Sequence, residues 1–459
     1  MRICPLFVLT LMLADWPFAL TAQPGAATAA ASPAPMQLSL NQAIALAKTS
    51  QGAYQNLALD EQVAAQAARA TRGLYRPQLG GAAEVRYNAI QPTSILPNFA
   101  NPGSGERVAV RFGTKFQATA GLTFNQRLYD ASALAQRRVD ATNQQLAANA
   151  TLRGRVALVQ AVSTAYYEAL LRETQLAFAQ ADHARAQAAY RDQAARQQAG
   201  RALTLDVSTA RITVRSAALA LDLTRQNILL SKQHLLATLG LPPDNAALLQ
   251  LTDPLAALLS SRADTAAWAG GETGQRPELR QERLQAELAA ATGQVERRGA
   301  RPTVGVAGYL GANGFNDQLL GALNVPNWYG NSYVALQATV PLLDGGVRTT
   351  RIETQRLRQQ QAQHRLADLQ QTLRYEVDNA RMQLENAWQT LRVRQQNVAV
   401  AARGAELVGL RQQAGRALPR ETLDAEATRQ QAQRDYLQAV YDFLVSRLDY
   451  ARATGALGE

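Results

Sequence analysis

The sequence is poor in the residues that do chemistry. Of its 459 residues one is cysteine, Cys4, which leaves no disulfide and no cysteine-built metal site within the chain. Three are histidine, and His183, His234 and His364 lie far apart in helix-forming stretches. No nucleophile elbow, phosphate loop or metal-spaced cluster accompanies them. The chain is therefore not expected to be an enzyme, and no catalytic residue, cofactor or metal is assigned. Lysine is scarce too: Lys48, Lys115 and Lys232 are the only lysines among 47 basic residues. A net charge of +11 and a pI of about 10.0 would suit a nucleic-acid binder. The arginines, however, are scattered among glutamine and alanine with no run of five or six. The basic arms that commonly grip nucleic acid are missing, and no such partner is expected.

Long apolar runs are missing as well. No window beyond the N-terminus offers 18 uninterrupted apolar residues, so a bilayer-spanning helix is excluded. Such a chain crosses a membrane only as a closed barrel, because lipid gives backbone N–H and C=O groups no partner. The N-terminus, residues 1–22, reads as a secretory signal. Arg2 supplies a positive charge, Ile3 to Ala14 is largely apolar, and small residues follow, with cleavage near Ala22 or as late as about residue 31. The alternative is a cytosolic chain with an apolar start. Cys4 falls inside this segment, too early to accept a lipid after a full signal, so no lipid anchor is expected.

What is present is repetition. Arg196-Gln197-Gln198-Ala199-Gly200-Arg201-Ala202-Leu203 recurs as Arg411-Gln412-Gln413-Ala414-Gly415-Arg416-Ala417-Leu418, a shift of 215. At the same shift Asp206 meets Glu421 and Gly240 meets Gly455, while Asp130 meets Asp344 one residue out of step. The chain thus divides into two tandem halves, 38–240 and 276–455, joined by a connector, 241–275.

Each half has the same order. A short helix comes first, begun by Ser39 as N-cap in one half and by Arg276-Pro277 in the other. Two strands follow, expected at 78–91 and 110–127 in the first half, and at 302–312 and 332–343 in the second. Their period of two, with one apolar face and one small or polar face, is that of a barrel strand or of an ordinary sandwich strand. Four strands cannot close a barrel, so the sheet either packs on something or is shared among copies. Aromatics near the strand ends (Tyr87, Phe112, Phe124, Tyr309, Trp328 and Tyr333) suit a girdle at headgroup level, with outer-membrane lipid as the partner. Each half then enters a proline-free run of about 70 residues, some 100 Å of helix. A break at Gly200 or Gly415 folds the chain back, giving antiparallel helical hairpins over 131–239 and 345–453.

Four features carry a resemblance to a known family. They are Leu38-Ser39-Leu40-Asn41-Gln42-Ala43, Arg276-Pro277-Glu278-Leu279, the corner Val340-Pro341-Leu342-Leu343-Asp344-Gly345-Gly346, and the paired Ala-Gly-Arg-Ala-Leu turns. In this order they resemble the TolC family of outer-membrane efflux proteins, over the whole mature chain. The resemblance implies a mainly α fold with a membrane β-barrel, in which a homotrimer closes twelve strands above an α-helical periplasmic tunnel. It implies an outer-membrane location and a passive export duct served by a periplasmic adaptor and an inner-membrane transporter. The chain departs from the family in its basic charge, and in Ser50-Gln51-Gly52 where Asn-Pro is usual. A periplasmic adaptor would have one hairpin and not two in tandem, and a plain coiled-coil scaffold would not need the strands.

The resemblance also assigns sites. The turns at Gly200 and Gly415, with Arg201 and Arg416, match the tips where an adaptor docks, although a C-cap glycine needs no partner. Glu421 and Asp424 match the acidic pair that narrows the tunnel entrance, and Asp206 is the first-half counterpart of Glu421, expected to pair with Arg416 or Arg420. The plain alternative for Glu421 and Asp424 is that acids favour the first turns of a helix begun by Pro419.

Overall fold

The computed structural model describes residues 36–98, 103, 105, 107–260, 276–324, 326, 328–414 and 416–458. The signal expected at 1–22, the connector stretch 261–275 and the tip glycine Gly415 lie outside them.

Strand β1 (Met36–Leu38) leads into α1 (Leu40–Ser50). A capping box closes the first turn of α1: the Gln42 N–H donates to Ser39 Oγ at 3.4 Å and the Ser39 N–H to Gln42 Oε1 at 2.9 Å. The single short helix expected here is in fact two. Gln51 is extended at φ −77° and ψ 111°, and α2 (Gly52–Gly73) starts afresh beyond it. The corner is held from another part of the chain, since the Ser50 hydroxyl donates to Leu239 O at 2.5 Å.

Strands β2 (Gln78–Tyr87) and β5 (Phe116–Tyr129) follow, and between them β3 (Thr93–Pro97) and β4 (Arg107–Arg111) form a separate hairpin in a stretch that reads as loop. The strand expected from 110 therefore begins at Phe116. Gly113 turns the chain at φ +106°, and the Phe112 N–H donates to Pro92 O at 2.9 Å, which places Phe112 with the outer hairpin. Next come α3 (Ala131–Gln198), 68 residues, and α4 (Thr204–Leu239). In the connector, β6 (Leu249–Leu251) pairs in parallel with β1, and α5 (Leu255–Ser260) follows. The second half runs α6 (Pro277–Arg298), β7 (Thr303–Asn316), α7 (Leu319–Leu323), β8 (Trp328–Thr339), α8 (Val347–Gln413) and α9 (Pro419–Ala453). Its strands sit a few residues away from 302–312 and 332–343. Pro341 cannot donate to a ladder, and Gly345 and Gly346, at φ +62° and +83°, delay α8 to Val347.

An aspartate turns the chain from sheet to long helix in both halves. Asp130 Oδ1 accepts from the N–H groups of Ser132 at 3.0 Å and Ala133 at 3.2 Å, and Arg127 lies 3.0 Å from Oδ2. Burial alone would raise the Asp130 pKa, but the Ser132 and Ala133 hydrogen bonds and the Arg127 charge hold it below its ordinary value. Asp344 does the same work for α8, accepting from Gly346 N–H at 3.2 Å and Arg348 N–H at 3.3 Å.

The strands form one antiparallel sheet in the order β2-β5-β7-β8. The register gives it two unlike faces. Leu79, Val85 and Tyr87 share one face with Phe116, Leu122, Phe124, Val306, Leu310, Trp328, Val334 and Leu336. Gln78, Glu84 and Arg86 share the other with Gln117, Thr119, Asn125, Asn313 and Gln337. Tyr309 and Tyr333 are cross-strand partners on this polar face, their rings 6.0 Å apart, with Tyr309 lying over the backbone of Gly121 and Gly311. Of the six aromatics expected in a girdle, Tyr87, Phe124 and Trp328 lie on the apolar face and Tyr309 and Tyr333 do not. A period of two assigns a side chain to its face, whatever its chemistry.

The core lies halfway down the long helices. Val162, Tyr166, Leu235, Leu384, Val440 and Phe443 are fully buried there. The Asp253 carboxylate ties the connector to both ends of this core, accepting from Leu40 N–H at 2.7 Å and lying 2.9 Å from the Tyr166 hydroxyl. Burial, then the Asp253 hydrogen bond, pushes the Tyr166 phenol well above its ordinary pKa. Helix α2 packs on α3, whereas α6 packs between α3 and α8.

The repeat-related glycines Gly240 and Gly455 both adopt left-handed backbone, at φ +77° and +83°. A Cβ at Gly240 would lie 2.7 Å from Ser50 O, while one at Gly455 would meet only Arg276 Cγ, at 3.6 Å. Gly455→Ala is expected to cost about 1–2 kcal/mol from strain alone, and Gly240→Ala measurably more. Urea titration of the helical circular dichroism tests this, and equal losses would show that the corner yields freely.

Candidate functional site at the helical tips

Both hairpins end at the same pole of the molecule, and the first shows how the turn is built. Ala199 leaves the helix at φ −80° and ψ 4°, and Gly200 takes φ +72°. The Arg201 N–H then reaches back to Arg196 O at 2.7 Å and the Gly200 N–H to Gln197 O at 2.9 Å, a Schellman closure. Leu203 is extended and starts α4, and its N–H donates to Asp206 Oδ2 at 3.2 Å. In the second turn the Arg416 N–H reaches Arg411 O at 2.7 Å, and Leu418 precedes Pro419 at the first position of α9. What the tips present outward is Arg201 and Arg416, with Leu203 and Leu418 more than half exposed. The leucines belong to the repeated turn but are singled out only by their exposure, which the sequence does not display.

Glu421 and Asp424 stand in the first turns of α9, both exposed. Asp424 lies 3.9 Å from Arg420 on its own helix. The Glu421 N–H donates to Leu418 O at 3.0 Å, while its carboxylate meets no hydrogen-bond or ion-pair partner among the described residues. Within one chain Asp206 is not paired with Arg416 or Arg420: its carboxylate caps α4, Arg420 turns to Asp424, and Arg416 is held through its backbone. A cap at three residues' distance forms at almost no entropic cost, whereas a pair across two hairpins must order two long side chains. Asp206 and Arg420 do line one cleft of about 210 Å³ between the hairpins, together with Gln193, Gln412, Thr422 and Leu423. Among the described residues no three His, Cys, Asp or Glu side chains gather closely enough to hold a metal.

The link between the hairpins lies a few turns above. Arg429 of α9, whose side chain is only 8% exposed, donates to Asp182 of α3 at 2.8 Å, and its Nε donates to Glu426 at 3.0 Å. Arg185 completes the cluster, bonding Asp182 and lying 3.8 Å from Glu426. Lower down, Arg196 donates to Gln412 O at 3.5 Å. Asp182 and Arg429 are 247 residues apart, and nothing in either sequence neighbourhood marks them as a pair.

A family model for the outer membrane efflux protein matches residues 41–241 and 272–456. The chain belongs to the outer membrane efflux protein family. Its place is the outer membrane, and it is a conduit and not an enzyme. No curated protein matches its sequence. Among solved structures it is similar to the outer-membrane protein VceC of Vibrio cholerae, at 19% identity and a TM-score of 0.67, covering 91% of this chain and 96% of that one. It is also similar to the CmeC outer-membrane channel of Campylobacter jejuni, at 16% identity and TM-score 0.66, over 91% of this chain and 85% of that one. The MtrE outer-membrane channel of Neisseria gonorrhoeae, solved in its open state, gives 17% identity and TM-score 0.68, over 91% and 88%. At these identities the likeness is one of fold.

Replacing Arg429 by alanine leaves Asp182 and Glu426 half-buried without their main cation, a loss on the order of 3 kcal/mol for a buried pair. Amide hydrogen exchange is expected to quicken over 182–206 and 411–430 while the core amides around Tyr166 and Phe443 stay protected. Unchanged exchange at the tips would mean that the hairpins are held elsewhere.

Proposed function

We propose that three copies of this chain form a passive outer-membrane export duct, which an adaptor contacts at the helical tips and an inner-membrane transporter supplies. The observation that carries this reading is that the chain leaves matching surfaces open on its two sides. Strand β2 is one sheet edge and β8 the other, and within the sheet the two halves are joined at β5–β7. A repeat with that internal junction makes an equivalent junction, β8 to the β2 of the next copy. The helices are open in the same places. Leu205, Ile212 and Leu219 on α4 are exposed at seven-residue spacing, as are Val393, Val400 and Leu407 on α8. Among the described residues neither seam is covered, yet heptad-spaced apolar residues belong in a coiled-coil contact. Leu59 and Val63 on α2 are likewise exposed, where α6 in the equivalent place touches α8 as well as α3. Burying such side chains stabilises an assembly by about 1.5–3 kcal/mol each. Two copies would give eight strands, a barrel that side chains alone would fill, whereas three give twelve and room for a lumen.

In this assembly the polar sheet face lines the lumen and the apolar face meets lipid. Glu421 and Asp424 from three chains surround the entrance, where a ring of carboxylates draws cations and is blocked by multivalent ones. The Arg429–Asp182 cluster restrains the second hairpin against the first, and an adaptor bound at Leu203, Leu418 and the tip arginines would draw it outward.

Detergent-purified protein is expected at three times the mass of one chain, with a small steady conductance in planar bilayers. Glu421→Ala/Asp424→Ala should raise that conductance severalfold and abolish block by a trivalent cation. Trimers without conductance would overturn the duct, and conductance indifferent to the double substitution would remove the gate.

A further inference from the structure

Helix α7 is a five-residue turn, Leu319-Leu320-Gly321-Ala322-Leu323, in the excursion between β7 and β8. We propose that it is a membrane-interface element, lying on the outside of the barrel with its leucines in the lipid of the distal leaflet. The inference rests on the reading of the apolar sheet face as the lipid face.

The first observation is where α7 is seated. Ala322 is fully buried, and a Cβ on Gly314 would lie 2.3 Å from Ala322 O and 2.8 Å from Trp328 Nε1. Gly314 is paired with Ala118 and Trp328, and its missing side chain would stand on the face of Leu122, Leu310 and Val334. Helix α7 therefore lies over the apolar face, on a seat that exists because residue 314 has no side chain. Ala118, the partner of Gly314 on this face, is only 1% exposed. The seat is fastened at its start, where Asp317 Oδ1 accepts from Lys115 N–H at 3.0 Å.

The second observation is what α7 shows on its other side. Leu320 is 81% exposed, and Leu319 and Leu323 nearly half, in a turn that carries no charge. Its main contacts are with β7 and β5, the two central strands, and not along the open edges at which another copy would join. The exposed leucines are thus placed away from both neighbours.

The third is depth. From Thr303 to Gly314 strand β7 advances eleven residues. At about 3.4 Å per residue and a tilt near 40° this spans about 28 Å along the barrel axis. An apolar barrel band is about 25 Å tall. Since α3 and α8 leave the sheet at its opposite end, α7 sits at the rim of the band farthest from the helices. A short uncharged turn with three leucines fits that rim, where acyl chains give way to headgroups.

The experiment uses the full-length trimer, in a background with Cys4 replaced, reconstituted with brominated phospholipid. A fluorophore is attached to a single cysteine at Leu320→Cys, Val334→Cys or Asn331→Cys. Lipid quenching at position 320 is expected within about twofold of that at 334, with little at 331 on the polar face. Quenching at 320 by aqueous iodide and not by bromolipid would overturn the proposal, as would protection from both, which would mean burial against protein. If position 334 also escapes lipid, the apolar-face reading fails first, so the two failures are told apart. Adding Gly314→Val, which intrudes on Ala322, should cut the quenching at 320 severalfold and leave 334 unchanged. Unaltered quenching at 320 would show that Gly314 is not its seat.

Discussion

Every part of this architecture answers to the backbone's need for hydrogen-bond partners in a solvent that offers none. Within lipid an unpaired N–H or C=O costs several kcal/mol, so a sheet there must close on itself. This chain brings four strands with two open edges. It cannot satisfy that condition alone, and the demand for closure turns a fold problem into an assembly problem. The helical part follows suit, with one exposed apolar seam on α4 of the first half and one on α8 of the second.

The tandem repeat makes this assembly economical. The junction β5–β7 inside the chain is the template for the proposed junction between chains, and α6, lodged between α3 and α8, shows the environment that α2 lacks on one side. The halves are nevertheless unequal near the tips. Asp206 caps its helix while the carboxylate of its counterpart Glu421 has no partner among the described residues, and toward the tips the second hairpin meets the first through Arg429, Arg185 and their two acids. A few ion pairs remote from the core are a restraint that a partner's binding energy can exceed, whereas the buried cluster around Tyr166 and Phe443 is not.

The barrel's two faces separate roles that composition alone confuses. Aromatic residues near strand ends suggest a headgroup girdle, yet Tyr309 and Tyr333 lie on the polar face and shield the backbone of glycine-rich strands. The chain's basic charge is likewise local in effect: part of it is taken up in pairs such as Arg276 with Glu376 and Arg429 with Asp182, and the first turns of α9 carry the exposed acids Glu421 and Asp424.

The sequence by itself determined whatever depends on periodicity and on backbone exceptions. Alternation marked the four barrel strands, proline-free alanine-rich runs marked the long helices, and the repeated turn marked both tips. These signals are local, set by steric rules that act over a few residues. Where a strand began was less legible, because Gly113, Gly345 and Pro341 act through the conformation they permit and not through hydrophobic pattern. The β3–β4 hairpin and the β1–β6 pair were hidden, the one in a turn-rich stretch, the other in segments of three residues more than two hundred positions apart. Only the tertiary structure decided which acid meets which arginine and which glycine makes room for what. Asp182 with Arg429, Gly240 with Ser50 and Gly314 with Ala322 are contacts between surfaces, and a surface exists only after the chain has folded.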